Sequence, residues 1–137
     1  MIEFYSENVE VQTESTDLRK WIMEIIVQEG RKEGDLTYVF CDDYYLLDIN
    51  IKYLKHNYLT DVISFDYSVG NLISGDIFIS IDRVKENAQT YSKTFRDELH
   101  RVMAHGLLHF CGYNDKTDDD QSVMREKEDY YLSLRTF

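Results

Sequence analysis

The apolar residues of this chain change their spacing at Asp82, and that change limits the folds open to it. Before that point, the stretches 35–41, 62–67 and 72–81 are rich in β-branched and aromatic residues, which favour strands. After it the spacing is helical to the end of the sequence, with an interruption at Gly112. Strands followed by helices are typical of an α+β fold, so we expect a small mixed sheet packed on one side by helices.

Apolar residues near the N-terminus predict one or two strands followed by a helix. Ile2 and Phe4 alternate with polar residues, and Val9 and Val11 repeat the pattern. Thr16 is of a residue type that caps helices. The helix that it would begin has an apolar stripe with the spacing i, i+3, i+4, i+7, i+8, formed by Leu18, Trp21, Ile22, Ile25 and Ile26.

A short helix and a hairpin are expected in the middle of the chain. Leu47, Ile51 and Leu54 have the spacing i, i+4, i+7 of one helix face. Gly70 and Asn71 separate two strand patterns and are typical of a tight hairpin turn.

Composition excludes several classes of protein. The 137 residues suit one domain, 1–137, with one core. No apolar run approaches the ~18 residues of a membrane span, and the N-terminus lacks the pattern of a secretory signal. Cys41 and Cys111 are too few for a disulfide framework, so we expect a cytoplasmic protein. The net charge of −11 argues against tight, charge-driven binding to a nucleic-acid backbone or an anionic membrane.

The segment 95–115 carries a pattern of metal ligands. His105 and His109 are four residues apart, so on a helix they lie about 40° apart and one turn along the same face. Gly112 is suited to end that helix, and the chain can then return Asp115 towards the histidines. Two histidines, one carboxylate and an open position match a catalytic zinc site better than a closed structural one.

Other residues near this motif receive more ordinary interpretations. Glu98 lies on the same helix edge as His105. It is expected to orient one of the metal ligands without itself contacting the metal. Cys111 points about 120° away from the His105 direction, so we interpret it as a small core residue. His56 and His100 are interpreted as ordinary polar histidines. Thr117, followed by Asp118–Asp120, is interpreted as the capped start of a final helix and not as a metal site.

Gly106 limits the chemistry of such a site. Zinc proteases of the H-E-x-x-H kind have a general base where this chain has Gly106. Peptide hydrolysis by that mechanism is therefore disfavoured, although a metallohydrolase acting on peptides stays an alternative. A non-catalytic protein that uses the metal for structure is a second alternative. A non-haem iron oxygenase is a third alternative. It is disfavoured because the ligands of such oxygenases normally come from strands and not from one turn of a helix.

HGLLHFCGYND (105–115) is similar to H-G-x-L-H-L-x-G-Y-D-H, the signature of the YbeY family of rRNA maturation factors. YLKHNYLTDVISF (53–65) resembles Y-R-x-x-D-x-P-T-D-V-L-S-F, and Gly75-Asp76-Ile77 resembles a G-D-I strand. The likeness covers most of the chain, in the right order and at nearly constant spacing.

This resemblance implies a single-strand-specific, metal-dependent endoribonuclease that acts in small-subunit rRNA maturation and ribosome quality control. It implies a small α+β domain whose metal helix is related to that of zinc proteases. One Zn²⁺ would be held by His105, His109 and Asp115. The implied partners are rRNA and either the small ribosomal subunit or assembly factors. The general base is left open between a metal hydroxide and the 2′-hydroxyl of the RNA.

The chain departs from the family pattern at three positions. Asp115 stands where the third ligand is usually His; a carboxylate can bind zinc, but harder ions become more competitive. Leu54 replaces an Arg thought to engage phosphate, and Leu59 replaces a Pro. Lys55 and Arg101 are the substrate-binding candidates that remain.

Support for the site and for RNA binding is expected from two further regions. Asp76, like Glu98, is a candidate to hold the metal ligands in place without contacting the metal. Thr60 and Asp61 are candidates for the same role. Residues 83–101 carry five basic against three acidic side chains, a local charge of +2 beside the metal helix. We therefore expect weak, salt-sensitive RNA binding that depends on the ribosome or a partner protein.

Overall fold

The computed structural model describes residues 1–11 and 15–137 and shows a four-stranded sheet packed against helices. The strands are β1 (Ile2–Glu7), β2 (Lys32–Cys41), β3 (Val62–Asp66) and β4 (Leu72–Ser80). The helices are α1 (Ser15–Gln28), α2 (Asp43–Leu54), α3 (Ile81–Thr90), α4 (Phe95–Phe110) and α5 (Asp118–Ser133). The described strands all precede α3, which confirms the α+β fold expected from the change of spacing at Asp82.

The sheet is mixed and has the order β1-β2-β4-β3. β1 and β4 each pair in parallel with β2, and β3 pairs antiparallel with β4. The expected hairpin is present between β3 and β4. Its turn places Gly70 at a φ of 59°, a left-handed conformation that glycine adopts without a steric penalty. Val69 pairs with Leu72 across that turn.

The main core lies between one face of the sheet and the helices α1, α4 and α5. Alternate residues of a strand point to the same face, and those of β2 and β4 that point inward are fully buried. The predicted stripe of α1 is confirmed, since all of its apolar residues are buried. Burying each such side chain stabilises the fold by roughly 1.5–3 kcal/mol. The inward residues of the two strands are Leu36, Tyr38, Phe40, Ile73, Ile77 and Ile79.

The opposite face of the sheet is covered in part by α2, so the expectation that helices pack on one side only is wrong. A small second cluster there joins Leu46 and Ile49 of α2 to Cys41 and Ile63 of the sheet. The helix was predicted correctly, but the face it buries was not. Leu46, Ile49 and Asn50 are buried, whereas Ile51 and Leu54 are exposed. Two apolar stripes overlap on α2, and the position of the sheet decides between them.

Several predicted boundaries shift by a few residues. β1 ends at Glu7, and Asn8 has a φ of 63°, so Val9 and Val11 pack against the core without forming a second strand. α1 begins at Ser15, which places Thr16 inside the helix and not before it. The C-terminal helical region is also interrupted at residues 91–94, between α3 and α4.

Two glycines let α4 lie close to β4. A Cβ atom on Gly106 would lie 3.0 Å from Cγ2 of Ile77, and one on Gly75 would lie 2.7 Å from the ring of Phe110. The helix that carries the histidines is therefore seated directly on the sheet. Within residues 1–11 and 15–137, no helix is both long and apolar enough to span a bilayer.

Candidate metal centre

Helix α4 carries both candidate histidines on one edge. Its start is fixed by Thr94, whose hydroxyl accepts a hydrogen bond from the backbone N–H of Asp97. Eleven residues after Thr94 comes His105, and His109 follows one turn later. The two Nε2 atoms lie 3.1 Å apart, with the rings nearly perpendicular. The i, i+4 spacing thus places both imidazoles around one point in space, as predicted.

The turn after α4 returns a carboxylate to the same point. Gly112 has a φ of 100°, which redirects the chain just beyond the helix. Oδ2 of Asp115 then lies 3.2 Å from Nε2 of His105 and 3.3 Å from Nε2 of His109. In a tetrahedral zinc site with bonds of about 2.0–2.1 Å, neighbouring ligand atoms lie roughly 3.3 Å apart. The three atoms can therefore hold one metal ion.

Hydrogen bonds on the far side of each ring orient the nitrogen that faces the carboxylate. Nδ1 of His109 lies 2.9 Å from the carbonyl oxygen of Tyr113, and a carbonyl can only accept a hydrogen bond. His109 therefore carries its proton on Nδ1, and its Nε2 lone pair is free for a metal. Nδ1 of His105 lies 2.8 Å from Oε2 of Glu128, which favours the same tautomer.

Glu128, and not Glu98, accepts the hydrogen bond from His105. Its side chain is 9% exposed and also accepts a hydrogen bond from Nη1 of Arg101 at 2.9 Å. Glu98 is buried nearby, in a small cavity that it shares with Arg101 and Glu128. Glu128 was missed because it lies on α5, far along the chain from the motif. Its one sequence signal is its place between Met124 and Tyr131 on the buried stripe of that helix.

The surroundings of His105 favour a positive charge. Burial alone would lower its pKa, but the hydrogen bond to Glu128 and the charges of Glu128 and Asp115 outweigh burial and raise the pKa of His105. The same negative surroundings favour a divalent cation at Nε2.

A cavity of about 490 Å³ opens in front of the three candidate ligands. Thr60 and Asp61, expected to support the site, do line it. Burial raises the pKa of Asp61, and His105 offsets part of that effect. His56, expected to be an ordinary polar residue, also lies in the cavity wall.

The remaining candidates are not brought to this cavity. Asp76 lies on the outer face of the sheet, where it lines a separate cavity with Tyr53 and Tyr67, and burial raises its pKa. Lys55 is exposed at the end of α2, between two cavity residues but outside the wall. Arg101 is engaged by two acids, Glu128 at 2.9 Å and Asp129 at 2.6 Å.

Cys111 and His100 are part of the folded core. Burial raises the pKa of the Cys111 thiol to about 11, in agreement with its predicted role as a core residue. His100 is buried, its ring packs against that of Trp21 at an interplanar angle of 43°, and its Nδ1 lies 2.8 Å from Nη1 of Arg135. The predicted cap of α5 is confirmed, because Oγ1 of Thr117 accepts from the backbone N–H of Asp120 at 3.0 Å.

A second network holds the loop that carries Tyr113 and Asp115. The hydroxyl of Tyr113 donates to Glu29 at 2.7 Å, and the hydroxyl of Tyr131 donates to the same carboxylate. Nζ of Lys127 lies 3.4 Å from Glu29, whose side chain is 7% exposed. The residue after α1 thus ties the ligand loop to α5.

Comparison with known proteins shows the family of the chain. The family model described as endoribonuclease YbeY matches residues 1–135. The chain belongs to the YbeY family. A YbeY endoribonuclease of Flavobacterium psychrophilum is 53% identical over 135 residues, which cover 98% of this chain and 96% of the relative. One from Cytophaga hutchinsonii is 51% identical over 136 residues, covering 98% and 95%.

A solved structure shares the YbeY-like fold described above. The solution structure of a protein from Thermotoga maritima aligns with a TM-score of 0.68 at 27% sequence identity. The alignment covers 97% of this chain and 87% of that protein.

Proposed function

We propose that this YbeY protein is a metal-dependent endoribonuclease that cleaves single-stranded RNA during maturation of small-subunit rRNA. The observation that carries the proposal is the convergence of His105, His109 and Asp115, with both Nε2 lone pairs turned inward, in a chain matched by the YbeY family model over residues 1–135. The proposal treats residues 1–137 as one domain. Action on rRNA implies a cytoplasmic location, with the small subunit or its assembly factors as partners.

We further propose one Zn²⁺ as the ion. Two imidazole nitrogens and one carboxylate oxygen suit zinc, and three protein ligands leave an open position. When bound, the ion polarises the scissile phosphodiester and stabilises negative charge on its oxygens. Glu128 and the Tyr113 carbonyl hold the two rings in the ligating tautomer. The cavity of about 490 Å³ offers space for single-stranded RNA beside the three metal ligands.

The peptidase alternative is not favoured. A zinc peptidase needs a general base at position 106, and a Cβ there already lies 3.0 Å from Ile77. A glutamate at Gly106 would therefore crowd the side chain of Ile77 beneath α4. RNA carries its own nucleophile, the ribose 2′-hydroxyl, and the group that would accept the proton of that hydroxyl need not stand at position 106.

The proposal is tested by following RNA cleavage and metal content together. Zinc-loaded wild type is expected to cleave an unstructured RNA and to leave casein intact. His105→Ala is expected to lose both bound zinc and cleavage. Full zinc content and full activity in this variant would refute the proposed centre. If removal of zinc unfolded the protein, and no cleavage were seen with zinc, a purely structural metal would be the better explanation.

A further inference from the structure

The cavity in front of the metal ligands offers RNA no cationic side chain. In the described part of the chain, its lining residues include Asp61, Asp66 and Asp115 but no Lys or Arg. Phosphate groups are normally held by Lys and Arg, and carboxylates repel them. Two of the basic residues expected to help are engaged by acids, since Arg83 pairs with Asp43 and Arg101 pairs with Glu128. Apart from the proposed metal ion, binding of RNA in this cavity therefore depends on contacts other than ion pairs with Lys and Arg.

Two aromatic rings in the same cavity wall, those of His56 and Tyr58, provide a surface to which RNA can bind without ion pairs. The rings of His56 and Tyr58 are stacked, with centroids 5.2 Å apart and an interplanar angle of 20°. The hydroxyl of Tyr58 lies 3.0 Å from Nδ1 of His56, which fixes the two rings relative to each other. Tyr58 is 56% exposed, so its ring is accessible to a ligand.

A buried asparagine holds the segment that carries both rings. Asn50 is 1% exposed, and its carbonyl oxygen accepts hydrogen bonds from the backbone N–H groups of Lys55 and His56. Its side-chain amide donates to the carbonyl oxygen of Tyr58 at 2.9 Å. Lys55 has a φ of 56°, an uncommon conformation for a residue with a side chain. The rings are thus positioned before any ligand arrives, which lowers the entropic cost of binding.

We propose that His56 and Tyr58 form a stacking platform for an unpaired nucleobase beside the metal centre, an inference that rests on the proposed endoribonuclease function. Every base has a π face, so such a platform binds RNA with little dependence on sequence. A base within a duplex is covered by its neighbours and cannot stack on the platform. The platform therefore accounts for selection of single strands, and it places a phosphodiester next to His105 and His109.

The test compares variants that remove a ring with variants that keep it. Tyr58→Ala and His56→Ala are each expected to raise KM for a single-stranded oligonucleotide by about 10-fold and to leave kcat nearly unchanged. Tyr58→Phe keeps the ring and is expected to behave like the wild type within about 3-fold. Tyr44→Ala is the matched control, because Tyr44 is 83% exposed on the preceding helix α2 but lies outside the cavity.

A direct signature of stacking separates this role from a structural one. The fluorescence of 2-aminopurine in a 2′-O-methyl oligonucleotide is quenched when the base stacks. Zinc-loaded wild type, Tyr58→Phe and Tyr44→Ala are expected to quench it, whereas Tyr58→Ala and His56→Ala are not. Thermal melting of each variant checks that the fold is kept.

The outcomes distinguish failure of the platform from failure of the proposed function. Suppose that wild type cleaves RNA and that Tyr58→Ala and His56→Ala both retain the wild-type KM and the wild-type quenching of 2-aminopurine. The proposed stacking platform is then refuted, and the endoribonuclease function stands. If zinc-loaded wild type neither cleaves RNA nor quenches the probe, both are wrong. Equal loss of affinity in Tyr44→Ala would also overturn the platform, since it would show a general surface effect.

Discussion

Nδ1 of His105 on α4 lies 2.8 Å from Oε2 of Glu128 on α5, 23 residues later in the chain. This hydrogen bond joins the candidate metal centre to a helix that contributes none of the three candidate ligands. It sets the tautomer of His105, and the salt bridge from Arg101 holds the glutamate in place. The strength of the metal site therefore depends on how α5 packs against α4.

Glu128→Gln is expected to weaken zinc binding by about 10- to 100-fold, because the charge behind His105 is lost while the side-chain shape is kept. Competition with a chelating dye measures the affinity. Asp129→Asn is the control, since Asp129 also pairs with Arg101. An equal loss in both variants would mean that the charge of Arg101, and not the bond to His105, sets the affinity.

Asp115→Ala is expected to lower zinc affinity strongly with little change in the thermal melting of the metal-free protein. The side chain is 40% exposed, so its removal leaves no large cavity. Asp115→His keeps three ligands and is expected to retain the metal. Elemental analysis after dialysis measures the zinc content of both variants. Stoichiometric zinc in Asp115→Ala would exclude this residue as a ligand.

Gly106→Ala is expected to destabilise the fold by about 1–3 kcal/mol, because the added methyl group meets Ile77 at 3.0 Å beneath α4. Denaturant unfolding measures the loss. Adding Ile77→Val removes Cδ1 of Ile77, which would lie 3.2 Å from the added methyl group, so the double variant should lose less than the sum of the two single variants. Strict additivity would show that the two residues do not oppose each other.

The network around Glu29 is expected to make stability fall in acid. Burial would raise the pKa of Glu29, but the hydrogen bonds from Tyr131 and Tyr113 and the charge of Lys127 outweigh it and lower the pKa. A carboxylate with a lowered pKa stabilises the fold above its unfolded pKa of about 4.3 and loses that effect as the pH falls through the folded value.

Glu29→Gln tests this dependence. The difference in unfolding free energy between wild type and Glu29→Gln should be largest near neutral pH and should shrink as the pH falls below about 4.3. Urea titrations at several pH values measure it. A difference that stayed constant down to strongly acidic pH would show that the charge of Glu29 contributes nothing.

The features that follow from local sequence were predictable. The hairpin at Gly70 and the turn at Gly112 depend on residues that tolerate positive φ, and the ligand motif lies within residues 105–115. The partner of His105 was not predictable in this way. Glu98 and Glu128 are both buried acids close to Arg101, and only the docking of α5 decides which one reaches the imidazole.

Dependence on tertiary packing also explains why the buried face of α2 was predicted incorrectly. Its sequence allows two overlapping apolar stripes, and the choice depends on where Cys41 and Ile63 stand on the sheet. The role of Asn50 was equally hidden. A polar residue in a helix carries no sign that both its backbone and its side chain will fasten the segment that follows.

The placement of Glu128 on α5 has a consequence for the order in which the site matures during synthesis. The candidate ligands are all made by residue 115, but the group that orients His105 emerges from the ribosome 13 residues after Asp115. A nascent chain that ended before α5 would carry the complete motif with His105 free to rotate. We therefore expect tight metal capture to begin only once α5 has folded against α4, so that the centre becomes active in a completed protein and not in a growing one.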